Sequence, residues 1–257
     1  MTDVDNGNAT AAIMKARVRQ NIDLIVLCSH EYTSIKEWVL SSIAQKIVRA
    51  SPIPILIQKD EHPLSFARDA KGQPVFHVCI ALDGSPQAEA IIESALSIAA
   101  DCAPAHHGEI HLLRIVEPSN LVDEQAFAET SLVDMQNDSW QTAQMYIEEV
   151  IARLEQDMAR YPGIKITGTV RIGTDIAQEL MQYAEKGLSN RNTSCQILAI
   201  TTHGQHGFSH RIFGSVTERV LKRTRLPLLI VHPQDQVVPQ PATQRSAMQV
   251  PRATCSV

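Results

Sequence analysis

The stretch CQILAITTHGQHGFSHRIFGSVTERVLKRTRLPLLIVH, from Cys195 to His232, decides the fold. It runs from an apolar strand to a polar loop opening at His203. An amphipathic helix follows, with Ile212, Val216, Val220 and Leu221 at helical spacing, and Pro227 leads into a second apolar strand. Ile22 to Gln58, IDLIVLCSHEYTSIKEWVLSSIAQKIVRASPIPILIQ, repeats this order of parts. His30 matches His203, Ser42 matches Ser215 and Pro54 matches Pro227, all at an offset of 173 without a gap, and Val39, Ile43, Ile47 and Val48 take the apolar helical places. This shared spacing predicts an internal duplication.

Upstream, VDNGNATAAIMKARV from Val4 echoes VRIGTDIAQELMQYA from Val170, with Gly7 opposite Gly173. The offset there is 166, and the difference of seven falls in the polar LSNRNTS segment of the second copy. The repeating unit is therefore helix, strand, helix, strand. Between the copies, residues 59–74 are polar with two prolines and read as a linker. VFHVCIALDGS then gives a strand buried on both faces, and the run after Pro86 gives a helix lasting to about Ala100. His111 to Val116 is the next strand, and DSWQTAQMYIEEVIARLEQDMARY is a long amphipathic helix with Met145, Val150 and Leu154 among its apolar positions. KITGTVRIG is a third strand.

Residues 75–233 thus alternate strands and helices as a complete doubly wound α/β domain with a five-stranded parallel sheet. Residues 4–58 supply only a partial α-β-α-β half repeat. Residues 234–257 are polar and proline-rich and read as a disordered tail. The whole length of 257 residues divides into one and a half domains.

Composition removes several function classes. Aromatic residues are 4% of the chain and the net charge is −5, from 23 basic and 28 acidic residues, so neither stacking platforms nor a basic footprint for nucleic acid is expected. No apolar run reaches the roughly 18–20 residues of a membrane span, and the acidic, polar start is unlike a signal peptide. A cytoplasmic protein is expected. Five scattered cysteines without a CxxC pair read as small core side chains, not as a disulfide framework or structural zinc site.

In an open α/β sheet, ligands sit at the carboxyl ends of the strands where strand order reverses. Two polar loops fall there: Asp83-Gly84-Ser85, and Thr201 through His203-Gly204 to Gly214-Ser215 at a helix start. Glycines allow backbone N–H groups to approach an anion, the helix N-terminus adds partial positive charge, and Ser215 adds a hydroxyl. Asp83 has a second reading, as the acceptor that holds a tight turn or caps the next helix.

The segment TTHGQHGFSHRIFGSVTERVLKRTRLPLLIV resembles the signature of the universal stress protein family, whose ATP-binding members carry G-x2-G-x9-G-S/T. Gly204, the nine residues from Gln205 to Phe213, and Gly214-Ser215 match it; Thr201 stands where the first glycine is expected. The resemblance also takes in VCIALDGSPQAEAIIESAL and HLLRIVEP. It implies an adenine nucleotide alpha hydrolase-like fold, and ATP, alone or with Mg²⁺, as ligand. Asp83 and Ile115 would lie at the adenosine end, His203, Gly204, Gly214, Ser215, Val216 and Thr217 around the phosphates, and Thr201 in the same site at the first motif position. It also implies pairing through the last strand, Pro227 to Val231, as a homodimer or as an intramolecular pseudo-dimer made with Pro54 to Gln58, and a role read by regulatory protein partners. A non-nucleotide member acting as an interaction scaffold is the alternative, which Thr201 favours.

In the first copy Glu31 and Ser41 replace the counterparts of Gly204 and Gly214, so a carboxylate would oppose phosphate and no nucleotide is expected there. The outer edge of Ile22 to Cys28 would also lack a neighbour. The chain has no GxxxxGK[ST] loop, HExxH or nucleophile elbow, and no lysine follows the phosphate loop, so no enzyme is expected. His203, His206 and His210 have an inviting spacing, but the first copy keeps only His30 and no acidic residue falls among them. No metal site is expected.

Overall fold

The computed structural model describes residues 9–29, 41–59, 66–68, 71–103, 107–118, 129–186, 194–202 and 213–233. Helix α1 (Ala9–Gln20), strand β1 (Ile25–Ser29), helix α2 (Ser42–Ala50) and strand β2 (Ile55–Lys59) come first. Then follow β3 (Ala67–Arg68), β4 (Pro74–Ala81), α3 (Pro86–Glu89), α4 (Ile92–Cys102) and β5 (Gly108–Val116). The chain continues through α5 (Glu129–Gln156), β6 (Ile164–Ile172), α6 (Ile176–Lys186), β7 (Ile197–Thr201), α7 (Ser215–Arg223) and β8 (Leu228–Val231).

One sheet runs through the molecule in the order β1-β2-β8-β7-β4-β5-β6, with β3 paired to β4. Its five strands from β8 to β6 are mutually parallel, as the doubly wound reading requires. They are extended to seven by β2 and β1, so the sheet is wider than the five strands of the complete domain. Burial on both faces explains their composition: β7 is buried along its whole length and β4 at all but its first residue. Alternate side chains feed two cores. Cys79, Ala81 and Leu113 pack on one face with α2, α6 and α7, through Ile47, Leu180 and Val220. Val78, Ile80 and Leu112 pack on the other with α4 and α5, through Leu96, Ile147 and Val150. Each fully buried aliphatic side chain contributes about 1.5–3 kcal/mol.

The two similar segments keep one register. Ile25 pairs with Ile55 in β1 and β2, and Leu198 pairs with Leu228 in β7 and β8, the same partners at the offset of 173. Helices α2 and α7 start and stop at that offset too. Strand β2 then meets β8 antiparallel, with Ile55 opposite Ile230, Leu56 opposite Leu229 and Ile57 opposite Leu228. Under the offset these pairs exchange with one another about Leu56 and Leu229, so the contact has the form of a local two-fold axis inside one chain. Both edges of β8 are thereby used, by β7 and by β2. Strand β1 pairs only with β2 among the described residues, and Val26 on it is exposed.

Several local expectations need correction. The segment 59–74 is not all linker: Ala67 and Arg68 pair with Val75 and Pro74, and Phe66 packs edge-on against Phe76. The helix after Pro86 is interrupted, α3 ending at Glu89 and α4 starting at Ile92. In α5, Met145 faces solvent; Ala143, Ile147 and Val150 are the buried positions, because they share the stripe that meets the sheet. Ile43 is likewise exposed, whereas Ile47 and Val48 are buried. The tail beyond residue 233 lies outside the described residues, as do Val39 and Ile212.

Candidate functional site

Strand order reverses at β4, which has β5 on one side and β7 on the other. At the carboxyl ends of these strands lies a cavity of about 540 Å³, within the usual range of small-molecule sites. Asp83, Ile115, Thr201, Gly214, Ser215, Val216 and Thr217 all line it. Residues more than a hundred positions apart in sequence thus converge on one space. His203 and Gly204 lie outside the described residues, as does Glu31 of the first copy.

The Asp83 turn is built from its own side chains. Asp83 Oδ1 accepts from the Ser85 backbone N–H at 2.9 Å and from the Ser85 hydroxyl at 2.7 Å. Ser85 Oγ in turn accepts from the Ala88 N–H at 3.1 Å and caps α3, with Pro86 in the first helical turn. Gly84 has φ +88°, and a Cβ there would lie 2.9 Å from a guanidinium nitrogen of Arg114. Glycine is required at this position by the fold. The turn-holding role of Asp83 is therefore real, and it places the residue on the cavity wall.

Gly214 is different. Its φ is −64°, and a Cβ would stand at ordinary contact, 3.5 Å from the Thr202 carbonyl oxygen. Among the described residues, the backbone does not demand glycine here. Gly214 N–H donates to Thr202 O at 2.7 Å, closing the base of the loop. Among the described residues no side chain caps α7, and the N–H groups of its first turn, beside the cavity, have no intrahelical acceptor. The Thr217 hydroxyl is committed elsewhere, donating to the buried Thr201 carbonyl at 2.8 Å, which fixes α7 to the end of β7.

The cavity also holds charged groups that the sequence reading missed: Arg114, Glu117, Asp175 and Arg219. Arg114 sits over the Tyr146 ring, 5.1 Å from its centre, and Tyr146 donates to Glu89 at 3.0 Å. Burial, then the Glu89 carboxylate, raise the Tyr146 phenol above its ordinary range. Asp175 caps α6, accepting from Gln178 N–H at 3.1 Å, and pairs with Arg219. The backbone hydrogen bond first, then Arg219, lower its pKa. The signals were available: Arg219 stands four residues after Ser215 on one helix face, and Asp175 follows Gly173 at a helix start. Behind the site, Cys79 and Cys195 are buried together; the hydrogen bond between them, then burial, raise the Cys79 thiol well above its usual pKa. Those thiols are structural.

Fold and site together define a doubly wound α/β protein with a pocket at its switch point. The universal stress protein family model matches residues 1–59 and 75–232, and the chain belongs to that family. Universal stress protein Rv2005c of Mycobacterium tuberculosis is 23% identical over 215 residues, covering 83% of this chain and 63% of that protein. Universal stress protein Rv2623 of the same organism is 25% identical over 193 residues, covering 75% and 55%. The chain thus spans about 63% of the length of the first of these relatives. Among solved structures, the functionally unknown protein PA1789 of Pseudomonas aeruginosa is 16% identical, with a TM-score of 0.50 over 90% of this chain and 69% of that one. That likeness concerns the fold. Among the described residues, no helix is long and apolar enough to cross a membrane.

Proposed function

We propose that this protein is a cytoplasmic regulatory module that binds an adenine nucleotide, ATP alone or with Mg²⁺, in the cavity at the carboxyl ends of β4, β5 and β7. The observation carrying the reading is the convergence of Asp83, Ile115 and the uncapped start of α7 on one space of suitable volume. Asp83 and Ile115 would hold the nucleoside, and the Gly214 to Thr217 turn would hold phosphate through backbone N–H groups and the helix dipole. Arg219, which lines the cavity in its ion pair with Asp175, stands near that turn, and a phosphate would compete with Asp175 for its guanidinium. Bound nucleotide would be a state read by protein partners, not a substrate turned over. Among the described residues, no lysine stands in the cavity lining to neutralise a transferring phosphoryl group.

Calorimetric titration with ATP and Mg²⁺ tests this through Asp83→Asn. The amide oxygen of asparagine can still accept from Ser85, so the turn survives, while the carboxylate is lost. Affinity is expected to fall about tenfold or more, as hydrogen bonds to charged groups are worth about 1.5–3 kcal/mol, with the melting temperature lowered by no more than about 2–4 °C per kcal/mol lost from the turn. Equal affinity would refute the adenosine role. Thr201, in place of the motif's first glycine, supports a second reading as a scaffold without nucleotide; absence of any ATP binding by the wild type would favour it.

A further inference from the structure

The sheet carries a second polar cluster, near the amino-terminal ends of β4 and β5 and independent of the nucleotide reading. His77, Glu109 and His111 meet there; His77 and Glu109 are paired across the two strands, and His111 follows on the same face. His77 Nδ1 is 3.1 Å from His111 Nε2, and Glu109 Oε2 is 3.5 Å and 3.6 Å from those two nitrogens. Tetrahedral coordination with bonds of about 2.0–2.1 Å sets ligand atoms about 3.3–3.4 Å apart. The observed triangle has that size.

The surroundings suit a metal. His111 Nδ1 lies 2.6 Å from Thr167 Oγ1, whose hydroxyl reaches the Ile110 carbonyl at 3.4 Å. With the hydroxyl hydrogen turned to that carbonyl, Nδ1–H donates to Oγ1, the tautomer that leaves the Nε2 lone pair facing His77 and Glu109. The backbone N–H of His77 is held by Gln196 Oε1 at 2.6 Å, fixing the strand that presents its ring. Both imidazoles are buried, while the Glu109 side chain keeps 14% exposure, which gives an entry. The two ring planes lie within 18° of parallel, an arrangement in which one proton can be shared between Nδ1 and Nε2.

We propose that His77, Glu109 and His111 bind one divalent transition metal of the Zn²⁺ class. The metal takes the place of the shared proton, which moves to His77 Nε2 so that both imidazoles bind as neutral ligands, as the rings tilt to bring both lone pairs onto it, and the fourth position is left to water. Two nitrogen ligands with one carboxylate disfavour Mg²⁺ and Ca²⁺, which take oxygen. The site lies about 13 Å from the carboxyl end of β4, at about 3.3 Å per strand residue, so it is separate from the nucleotide cavity.

Equilibrium dialysis of the full chain against Zn²⁺, with metal counted by mass spectrometry, tests the proposal. One Zn²⁺ per chain is expected to be lost in His111→Asn, weakened at least tenfold in Glu109→Gln, and weakened about 10–100-fold in Thr167→Val. The His206→Gln/His210→Gln double variant controls for loop histidines and should bind as wild type. Should His111→Asn fail to fold, the partly exposed Glu109→Gln decides. Absence of stoichiometric Zn²⁺ in the wild type, equal affinity in Glu109→Gln, or loss of binding in the loop double variant instead would overturn the proposal.

Discussion

Helices α2 and α7 start at equivalent positions, Ser42 and Ser215, and each follows a strand of the sheet, yet they treat their first turns in opposite ways. In α2 the Ser41 hydroxyl accepts from Ala44 N–H at 3.2 Å and satisfies one of the orphan donors. In α7 the same position is Gly214, and among the described residues no side chain takes that place. Their far ends are alike: Ser51 and Thr224 both end the helix in extended conformation, and each side chain oxygen accepts from the N–H two residues on. The difference is therefore local to the start of the helix, which in α7 lines the cavity. One helix is closed by its own chain; in the proposed function the other offers its donors to an anion supplied from outside.

The junction between the two halves gives the largest expected effect. Ile57 and Ile230 hold equivalent places in β2 and β8 and are both fully buried in one core. Each substitution to alanine should cost about 2–5 kcal/mol in denaturant unfolding. A small effect at Ile57 beside a large one at Ile230 would mean that the first half is only loosely attached. The capping contrast comes next. Ser41→Ala should cost about 1 kcal/mol of stability and leave ATP binding alone. Gly214→Ala should cost about 0.5–1 kcal/mol as a poorer N-cap, since among the described residues its Cβ meets only ordinary contact, but should weaken ATP at least tenfold by blocking close approach. The reverse pattern would place the ligand at the wrong helix.

The smallest effect concerns acid. Asp175 caps α6, whereas α1 has no acidic residue in its first turn. The folded pKa of Asp175 lies below its unfolded value, so its contribution is complete above the unfolded pKa of about 3.9 and is lost as pH falls through the folded value. Asp175→Asn should flatten the loss of stability below about pH 4. An unchanged acid profile would show that the cap is not electrostatic.

The fold was legible because strand burial leaves a direct mark. The continuous apolar runs Ile197 to Ile200 and Val75 to Ala81, the latter broken only by His77, announce strands covered on both faces. The offset of 173 carried both the helix limits and the strand register. Asp83 and the Gly214 turn were legible from the place of strand ends and helix starts, whereas Ile115 came from the resemblance to the family. Arg114 and Glu117 were not, since their presence in the cavity depends on how β5 ends beside Gly84 and on the packing of Tyr146. The His77, Glu109 and His111 cluster was hidden for a similar reason. Its members sit on two strands whose relative register, His77 opposite Glu109, is set only when the sheet forms.

The most direct test of the account is the number of ATP molecules bound per chain, counted by calorimetry in Mg²⁺. One saturable site per chain is predicted, abolished or much weakened by Gly204→Glu and insensitive to Ser41→Ala. No binding, or two equivalent sites, would contradict the distinction between an open α7 and a closed α2.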